Sequence, residues 1–357
     1  MSRFAWTGWS ALLWVVVIGA LTGWNQEPAI TGRPGQVSFP SDKPRPWDGL
    51  TILFNADDSE EVFQSDLEQA IKMGAPGIQV QVSFFTSDVQ SAGFPVFDRR
   101  SPQPEQLIKI LQAVSEKDLN VTLHPILLIQ NPSSRYWRGQ YQPVDEDRWW
   151  SDYEKWILGL ADIAQTSATD LFFIGSELTS LQRKAPQWLS LIEKVRKRYS
   201  GLVGYSANWD SWQDVTFHED LDVLGLNGYF PLSTAETETH PTALDLQANL
   251  LPHLSAMKRW VKTHTTALLF TEVGYPAANN ALDRPWLYPT GTPTDSGDRQ
   301  RDGIRSFLQV FSETGPQKGI FFYALHGHDP KTPSGYTPVR QETQQMWTDY
   351  FRERRQP

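Results

Sequence analysis

The stretch LFFIGSELTS, Leu171–Ser180, places an acid at the end of a segment suited to a buried strand. Leu171 to Ile174 are apolar, and a Gly-Ser step then leads to Glu177. The stretch LLFTEVGYP, residues 268–276, has the same form and carries Glu272. Parallel strands that are covered on both faces read as near-continuous apolar runs. Both stretches are therefore predicted to be buried strands that each deliver a carboxylate.

Short apolar runs alternate with helical patterns from Gly49 onwards, which is typical of βα units and a parallel sheet. The predicted strands are GLTILFNA, GIQVQVSFF, NVTLHPILLI, DLFFIGSE, GLVGYSAN, LDVLGLNGYF, ALLFTEVGY and GIFFYALHG. Eight strands with intervening helices over about 300 residues predict an α/β fold, a single (β/α)8 barrel at residues 49–350. Branched apolar side chains fill such a barrel, and the C-terminal strand ends open into one cleft. Glu177 ends the fourth strand and Glu272 the seventh, so both carboxylates are expected to face that cleft.

The N-terminus carries FAWTGWSALLWVVVIGALTGW, 21 residues without a charge. This length suffices for a membrane-spanning helix, and tryptophans at both ends suit the two interfaces. A cleaved signal peptide with ALLWVVVIGAL as its apolar part is the other interpretation, although no Ala-x-Ala site follows. We assign residues 1–24 to a signal-anchor or signal peptide and the Pro/Gly-rich residues 25–48 to a tether. In both cases we expect export, either anchored facing the periplasm or exterior, or secreted, with membrane contact only through this segment.

Composition narrows the function classes. The chain has 357 residues and a net charge of −9, which argues against a nucleic-acid partner. It has no cysteine, which excludes disulfides, iron–sulfur clusters, thiolate zinc sites and a cysteine nucleophile. We expect no cofactor, no metal, a carbohydrate substrate and a monomeric protein.

Several short motifs resemble a known enzyme family. They are YWRGQYQP with WW soon after, FIGSELTS, YSANWDSW, LDVLGLNGYFPLS, FTEVGYP, RPW and GYTP. In this order and spacing, from about Gly49 to Pro338, the chain resembles glycoside hydrolase family 113, the β-mannanase-like group. That family belongs to the large clan of retaining glycosidases built on (β/α)8 barrels.

The resemblance implies that Glu177 is the general acid/base and Glu272 the nucleophile of a retaining glycosidase. The expected reaction is cleavage of β-linked poly- or oligosaccharides by double displacement, with mannan-type chains as the first choice. A retaining mechanism requires two carboxyl groups about 5–5.5 Å apart, one protonated and one ionised. Tyr229, at the end of the sixth strand, is expected to donate a hydrogen bond to Glu272; the other interpretation is a tyrosine that packs on the barrel rim.

The sequence departs from the family pattern at three places. Ser176 precedes Glu177 where many clan members have an asparagine that binds the sugar 2-hydroxyl, and serine is a shorter donor. Asn227 stands where the family pattern has Asp. The eighth strand reads FFYALHG where relatives carry a tryptophan beneath the sugar, and Tyr323 is the expected substitute. These departures concern the identity of the substrate more than the type of reaction.

Loop aromatics are candidates for sugar platforms because the apolar face of a pyranose packs flat on a ring. Trp137 follows the third strand, Trp209 and Trp212 the fifth, and Trp286 the seventh. The other interpretation of any tryptophan is core packing, which we adopt for the helical Trp156, Trp188 and Trp260. Arg138 and Asn208 could orient sugar hydroxyls or form loop hydrogen bonds. His124 could line the cleft, but a core histidine with satisfied hydrogen bonds is the favoured interpretation.

Two other function classes stay open. The departures at Ser176 and in the eighth strand would suit a tethered, sugar-binding barrel without catalysis. HGHD, His326 to Asp329, could bind a metal in a metal-dependent hydrolase. The remaining histidines supply no matching ligand set, so this is the weakest of the three hypotheses.

Overall fold

A computed structural model of the chain describes residues 47–93, 99–130, 136–234, 241–287, 297–325, 335–338 and 340–354. The predicted anchor, most of the predicted tether and the HGHD motif lie outside these residues. Within the described ranges, no helix combines the length and the apolar character needed to span a bilayer.

Eight parallel strands close into a barrel in chain order, with β8 pairing back to β1. This confirms the predicted (β/α)8 fold. The strands are β1 Gly49–Phe54, β2 Gly77–Thr86, β3 Asn120–Ile129, β4 Leu171–Ser176, β5 Leu202–Asn208, β6 Val223–Asn227, β7 Ala267–Val273 and β8 Ile320–Leu325.

The helices of the described residues surround this barrel. They are α1 Glu60–Lys72, α2 Pro104–Ser115, α3 Glu146–Thr166, α4 Ala185–Arg196, α5 Ala243–Trp260, α6 Gly297–Phe311 and α7 Gln341–Arg354. Side chains of Ser59, Asp145 and Thr242 accept hydrogen bonds at the starts of α1, α3 and α5, the usual N-cap arrangement. The helix α5 continues through Pro252 as one helix.

The helix α3 fixes the strand that leads to Glu177. Its Tyr153 is buried, and the phenol donates a 2.6 Å hydrogen bond to the carbonyl of Ile174 in β4. A Cβ atom at Gly175 would lie 2.8 Å from that phenol oxygen and 3.0 Å from the ring of Tyr205. The glycine in the Gly-Ser step is therefore needed for close packing just before the strand ends.

The barrel interior is more polar than the predicted branched apolar filling. Asn227 accepts hydrogen bonds from Ser206 at 2.9 Å and from Thr271 at 2.8 Å, and all three are buried. Gln79 donates to Thr51 at 3.0 Å and to the carbonyl of Thr271 at 2.9 Å. These hydrogen bonds satisfy the buried cluster only in part, because Gln79 Oε1 and Asn227 Nδ2 have no partner among the described residues. The network joins β5, β6 and β7 directly before Glu272.

A second buried polar cluster ties the last helix to the opposite end of the barrel. The Asp48 carboxylate accepts hydrogen bonds from the Tyr350 phenol at 2.6 Å and from the Arg354 guanidinium at 3.0 Å. It also accepts from the backbone N–H of Ile320 at 2.9 Å, at the start of β8. One fully buried carboxylate therefore joins α7, β8 and the residue before β1.

Candidate active site

Glu177 lies where β4 leaves the barrel. Its backbone N–H donates a 2.8 Å hydrogen bond to the carbonyl of Ser206 in β5, and its φ is +53°. Positive φ is uncommon in residues other than glycine and clusters at functional sites. The next N–H, of Leu178, donates to the buried phenol of Tyr205 at 3.0 Å. The turn at Glu177 is thus held on both sides, and its carboxylate, 6% exposed, enters the cleft.

Glu272 lies within β7, and its side chain is enclosed by donors from other strands. The Tyr229 phenol donates to one carboxylate oxygen at 2.7 Å, and Gln81 Nε2 donates to the other at 3.1 Å. Burial, followed by the nearby charge of Glu177, raises the pKa of Glu272 to about 8. The pKa of Glu272 is lowered, to a smaller extent, by the charge of Arg138 and by the hydrogen bonds from Tyr229 and Gln81. The buried position of Glu272 therefore favours the protonated form of its carboxyl in the substrate-free protein.

Arg138 brings a cation to the same cleft. It opens a short 3₁₀ turn after β3, and its Nη2 lies 2.6 Å from Glu177 Oε2. Burial alone would lower the pKa of Arg138, but Glu177 and Glu272 raise it above its ordinary value. The guanidinium stays charged and forms an ion pair with Glu177.

His124 lies in β3, fully buried, with Nδ1 at 4.0 Å from Glu272 Oε1. Burial, with a smaller effect of Arg138, lowers the pKa of His124 to about 3, so the ring is neutral at pH 7. His124 is thus a core residue, as expected, and does not line the cavity, but neither ring nitrogen has a hydrogen-bond partner among the described residues. It packs against Phe173 with ring centroids 5.0 Å apart.

A cavity of about 880 Å³ unites most of the predicted site. Of the ten predicted site residues, nine line it: Glu177, Glu272, Tyr229, Trp137, Arg138, Asn208, Trp209, Trp286 and Tyr323. Ser176 does not: it is buried at the end of β4, and its hydroxyl has no partner among the described residues. Serine at this position therefore does not present its hydroxyl to the cavity, because its side chain stays inside the barrel wall.

Three tryptophans form exposed or half-exposed parts of the cavity wall. Trp137 and Trp286 are 38% and 43% exposed, although tryptophan is usually buried. Trp209 stacks on Trp286 with ring centroids 6.0 Å apart. The expectation of a sugar platform at Trp212 is wrong, because this ring is buried against Trp260. Trp212 begins a 3₁₀ turn that directs its ring towards α5, away from the cavity.

Several lining residues were not predicted from the sequence. Gln81 reads as part of a buried strand, and only its even spacing from Gln79 signals a polar face. Tyr336 lies in the GYTP motif, to which no role was assigned, and its ring contacts those of Tyr229 and Tyr323. Asp210 adds a third carboxylate, whose pKa burial raises, with a further contribution from Glu177.

The described residues contain no cluster of three or more histidines and acids that could hold a metal ion. His326 and His328 of the metal hypothesis lie outside the described residues.

Comparison with known proteins places this geometry in a family. The model of glycoside hydrolase family 113 matches residues 56–330. A family 113 β-1,4-mannanase solved as a complex has a TM-score of 0.74 at 18% identity, covering 86% of this chain and 99% of that chain. The family 113 β-mannanase AaManA from Alicyclobacillus acidocaldarius, in complex with ManMIm, has a TM-score of 0.73 at 16% identity, covering 86% and 97%.

More distant folds also match. The β-glucuronidase of Faecalibacterium prausnitzii has a TM-score of 0.58 at 12% identity, covering 87% of this chain and 49% of that chain. At such identities the likeness to solved structures shows the fold alone. No curated protein sequence matches this chain. The family match extends over more than half of the chain, so this protein belongs to glycoside hydrolase family 113.

Proposed function

We propose that this glycoside hydrolase cleaves β-linked poly- or oligosaccharides with retention, using Glu177 and Glu272 in a double displacement. The observation that carries the proposal is the meeting of these two carboxyls, from β4 and β7, in one cavity with tryptophan walls. They lie 95 positions apart in the sequence, and only barrel closure unites them. Their environments differ: Glu177 is paired with Arg138, whereas Glu272 accepts hydrogen bonds from Tyr229 and Gln81.

In the proposed reaction, a Glu272 oxygen attacks the anomeric carbon while Glu177 gives its proton to the departing glycosidic oxygen. The bond from the anomeric carbon to that oxygen breaks, and a glycosyl ester on Glu272 forms. Glu177, now a base, takes a proton from an entering water, whose oxygen displaces Glu272. Tyr229 and Gln81 hold the nucleophile through hydrogen bonds to both of its oxygens.

The charge of the cavity favours a neutral sugar. Its described lining contains Glu177, Glu272 and Asp210 but one basic side chain, Arg138, which is already paired with Glu177. A uronic acid would therefore meet carboxylates and find no unpaired cation. β-1,4-Linked mannan is the leading candidate, since the similar solved structures of family 113 are named β-1,4-mannanase or β-mannanase.

The test is incubation of the protein from about Ser38 with β-mannans, β-glucans and β-xylans, followed by sizing of the products. We expect shortened mannan chains. Glu272→Ala should abolish turnover, and Glu177→Ala should lose activity most on poor leaving groups and recover with azide on activated ones. Glu313→Ala, at an exposed position after α6, is the matched control and should keep full activity. Full activity of both site variants would overturn the assignment.

A second candidate function is carbohydrate binding without cleavage, in a tethered barrel. The buried position of Ser176 favours it, because no hydroxyl replaces the asparagine that relatives use at the sugar 2-hydroxyl. Oligosaccharide binding with no product after long incubation would support this second function.

We also propose that the catalytic barrel is exported and that residues 1–24 direct it. The support is the uncharged segment of 21 residues near the N-terminus. Fractionation of cells that express the whole chain tests this. Recovery in the cytoplasmic fraction would contradict it.

A further inference from the structure

Arg138 holds a special position in the cavity. It is the one basic side chain of the described lining, and Glu177 is the one described carboxylate within 4.0 Å of it. Its turn is fixed, since Trp137 N–H donates to Gln140 at 3.4 Å and Ser180 Oγ donates to the carbonyl of Tyr141 at 2.8 Å. The second bond links the turn to the segment that follows Glu177. Arg138 is thus preplaced against one carboxyl of the pair and not the other.

The other carboxyl has no comparable cation. Its nearest basic group is His124, which is neutral at pH 7 because burial lowers its pKa to about 3. Burial and the charge of Glu177 raise the pKa of Glu272 to about 8. Two carboxyls that interact this closely titrate as a pair. The 2.6 Å contact with Arg138 favours the charged form of Glu177, whereas burial favours the protonated form of Glu272.

This distribution is the reverse of the one that the first chemical step requires. Glycosyl transfer to Glu272 needs an ionised nucleophile and a protonated Glu177. We propose that Arg138 is a positioning residue that holds Glu177 ionised in the substrate-free protein, and that the bound sugar must open this ion pair before cleavage. The mechanistic meaning of this inference rests on the proposed function, whereas the ion pair itself is a feature of the structure.

Opening the pair redistributes one proton and adds none. Glu272 loses a proton to solvent and becomes a carboxylate, while Glu177 gains one, so the pair keeps a single negative charge. Arg138 has a buried Nε without a partner among the described residues, and this donor suits a sugar hydroxyl. A sugar hydroxyl bound to the Arg138 guanidinium would replace the hydrogen bond that the guanidinium loses when it separates from Glu177.

Other titratable groups surround the two carboxyls and Arg138. They are His124 on β3, Tyr141 after the turn, Tyr205 on β5, Asp210 after β5, Tyr229 after β6 and Tyr323 on β8. Burial raises the pKa values of Tyr141, Tyr205 and Tyr229, and each stays protonated at neutral pH. Asp210 lines the same cavity and adds negative charge beside Glu177. Arg138 is therefore the one described cation that can set the charge distribution.

The first experiment needs no turnover. Protein labelled with ¹³C at the glutamate carboxyl carbons is titrated by NMR, with Glu177→Gln and Glu272→Gln assigning the two signals. At pH 6.5 we expect a neutral Glu272 and an ionised Glu177 in the substrate-free wild type. In Arg138→Met the ratio of protonated to ionised Glu177 should rise at least about tenfold, the lower end of the effect of an adjacent cation. In Arg138→Lys it should change far less.

A proton on Glu177 in the wild type, or the same ratio in wild type and Arg138→Met, would overturn the inference. If Arg138→Met did not fold, the wild-type titration and Arg138→Lys would still decide it. A failed glycan panel would refute the proposed function and leave this titration valid, so the two failures are distinguishable.

The second experiment uses the pH dependence of hydrolysis. The profile of kcat/KM reports the free enzyme and that of kcat the complex. In the wild type, the acid limb of kcat should lie at higher pH than that of kcat/KM, because bound sugar has opened the ion pair. In Arg138→Met the acid limb of kcat/KM should move up by at least about one pH unit and meet that of kcat. A residue that only binds sugar would lower kcat/KM equally at every pH, and that result would contradict the proposal.

Discussion

Replacing Glu272 by Gln should stabilise the fold, by an amount that grows with pH. The buried carboxyl has a pKa of about 8 in the folded protein against an ordinary value of 4.5. A carboxyl whose pKa is raised by folding binds more protons folded than unfolded between these two values. Stability is therefore greatest below about pH 4.5 and falls as pH rises towards 8. The glutamine side chain would keep the size of the glutamate and remove the ionisation.

The size of the stabilisation by Glu272→Gln follows from the difference between the ordinary pKa of 4.5 and the folded-state pKa of about 8. Each pH unit corresponds to about 1.4 kcal/mol, so the gain of Glu272→Gln should stay below about 1 kcal/mol at pH 5. At pH 7 it should reach about 2 to 4 kcal/mol, and it should level off above pH 8. An active site that costs stability in this way is a known trade-off.

The assay is urea unfolding of wild type and Glu272→Gln at pH 5, 6, 7 and 8, followed by tryptophan fluorescence. Glu313→Gln, which changes an exposed carboxyl, controls for the loss of a charge as such. A Glu272→Gln effect that is equal at all four pH values, or that decreases with pH, would refute the reasoning.

Three further changes test other contacts. Tyr229→Phe removes the 2.7 Å hydrogen bond to Glu272 and should lower kcat roughly 10- to 100-fold, as for a hydrogen bond to a charged group, measured on an activated aryl glycoside. An unchanged kcat would show that Tyr229 only packs. Asp48→Ala leaves the buried Tyr350 phenol and the Ile320 N–H without their acceptor and should cost about 1 to 3 kcal/mol for each of these donors in urea unfolding, whereas Asp349→Ala, in an exposed pair, should cost under about 1 kcal/mol. Equal costs would contradict the role of the buried cluster. Trp286→Ala should raise KM for long oligosaccharides with little change for the shortest substrate, since its exposed ring adds contact area; equal effects on both would place no sugar on this ring.

Much of the fold follows from local pattern. The third strand was predicted at the observed bounds, Asn120–Ile129, because a long apolar run is closed by polar residues at both ends. The acids after β4 and in β7 could be assigned to one cavity because parallel barrel strands end on the same side. Seven of the eight residues expected to bind substrate line that cavity.

The remaining features depend on side-chain packing across strands. Gln79 and Gln81 looked like minor interruptions of an apolar strand, yet they donate to Thr271 and Glu272 on the far side of the barrel. Trp212 and Trp209 are near neighbours in one loop, but a 3₁₀ turn buries the first and leaves the second in the cavity wall. The spacing of residues along the chain does not determine in which direction each of these side chains points.

The pairing of Arg138 with Glu177 also depends on packing between loops. The sequence places Arg138 in a loop after β3 and Glu177 after β4, which suggests proximity but no partner. From the sequence, Arg138 is expected to orient sugar hydroxyls or to form loop hydrogen bonds. The 2.6 Å contact selects Glu177 in the substrate-free protein.

The most direct test of the central claim is capture of the covalent intermediate. The protein is incubated with an activated 2-deoxy-2-fluoro-β-mannoside, whose fluorine slows hydrolysis of a glycosyl-enzyme, and is then digested for peptide mass mapping. We predict one added sugar per chain, on the peptide that contains Glu272, and none in Glu272→Gln. Release of a sugar with inverted anomeric configuration, together with an unlabelled Glu272 peptide, would contradict this mechanism.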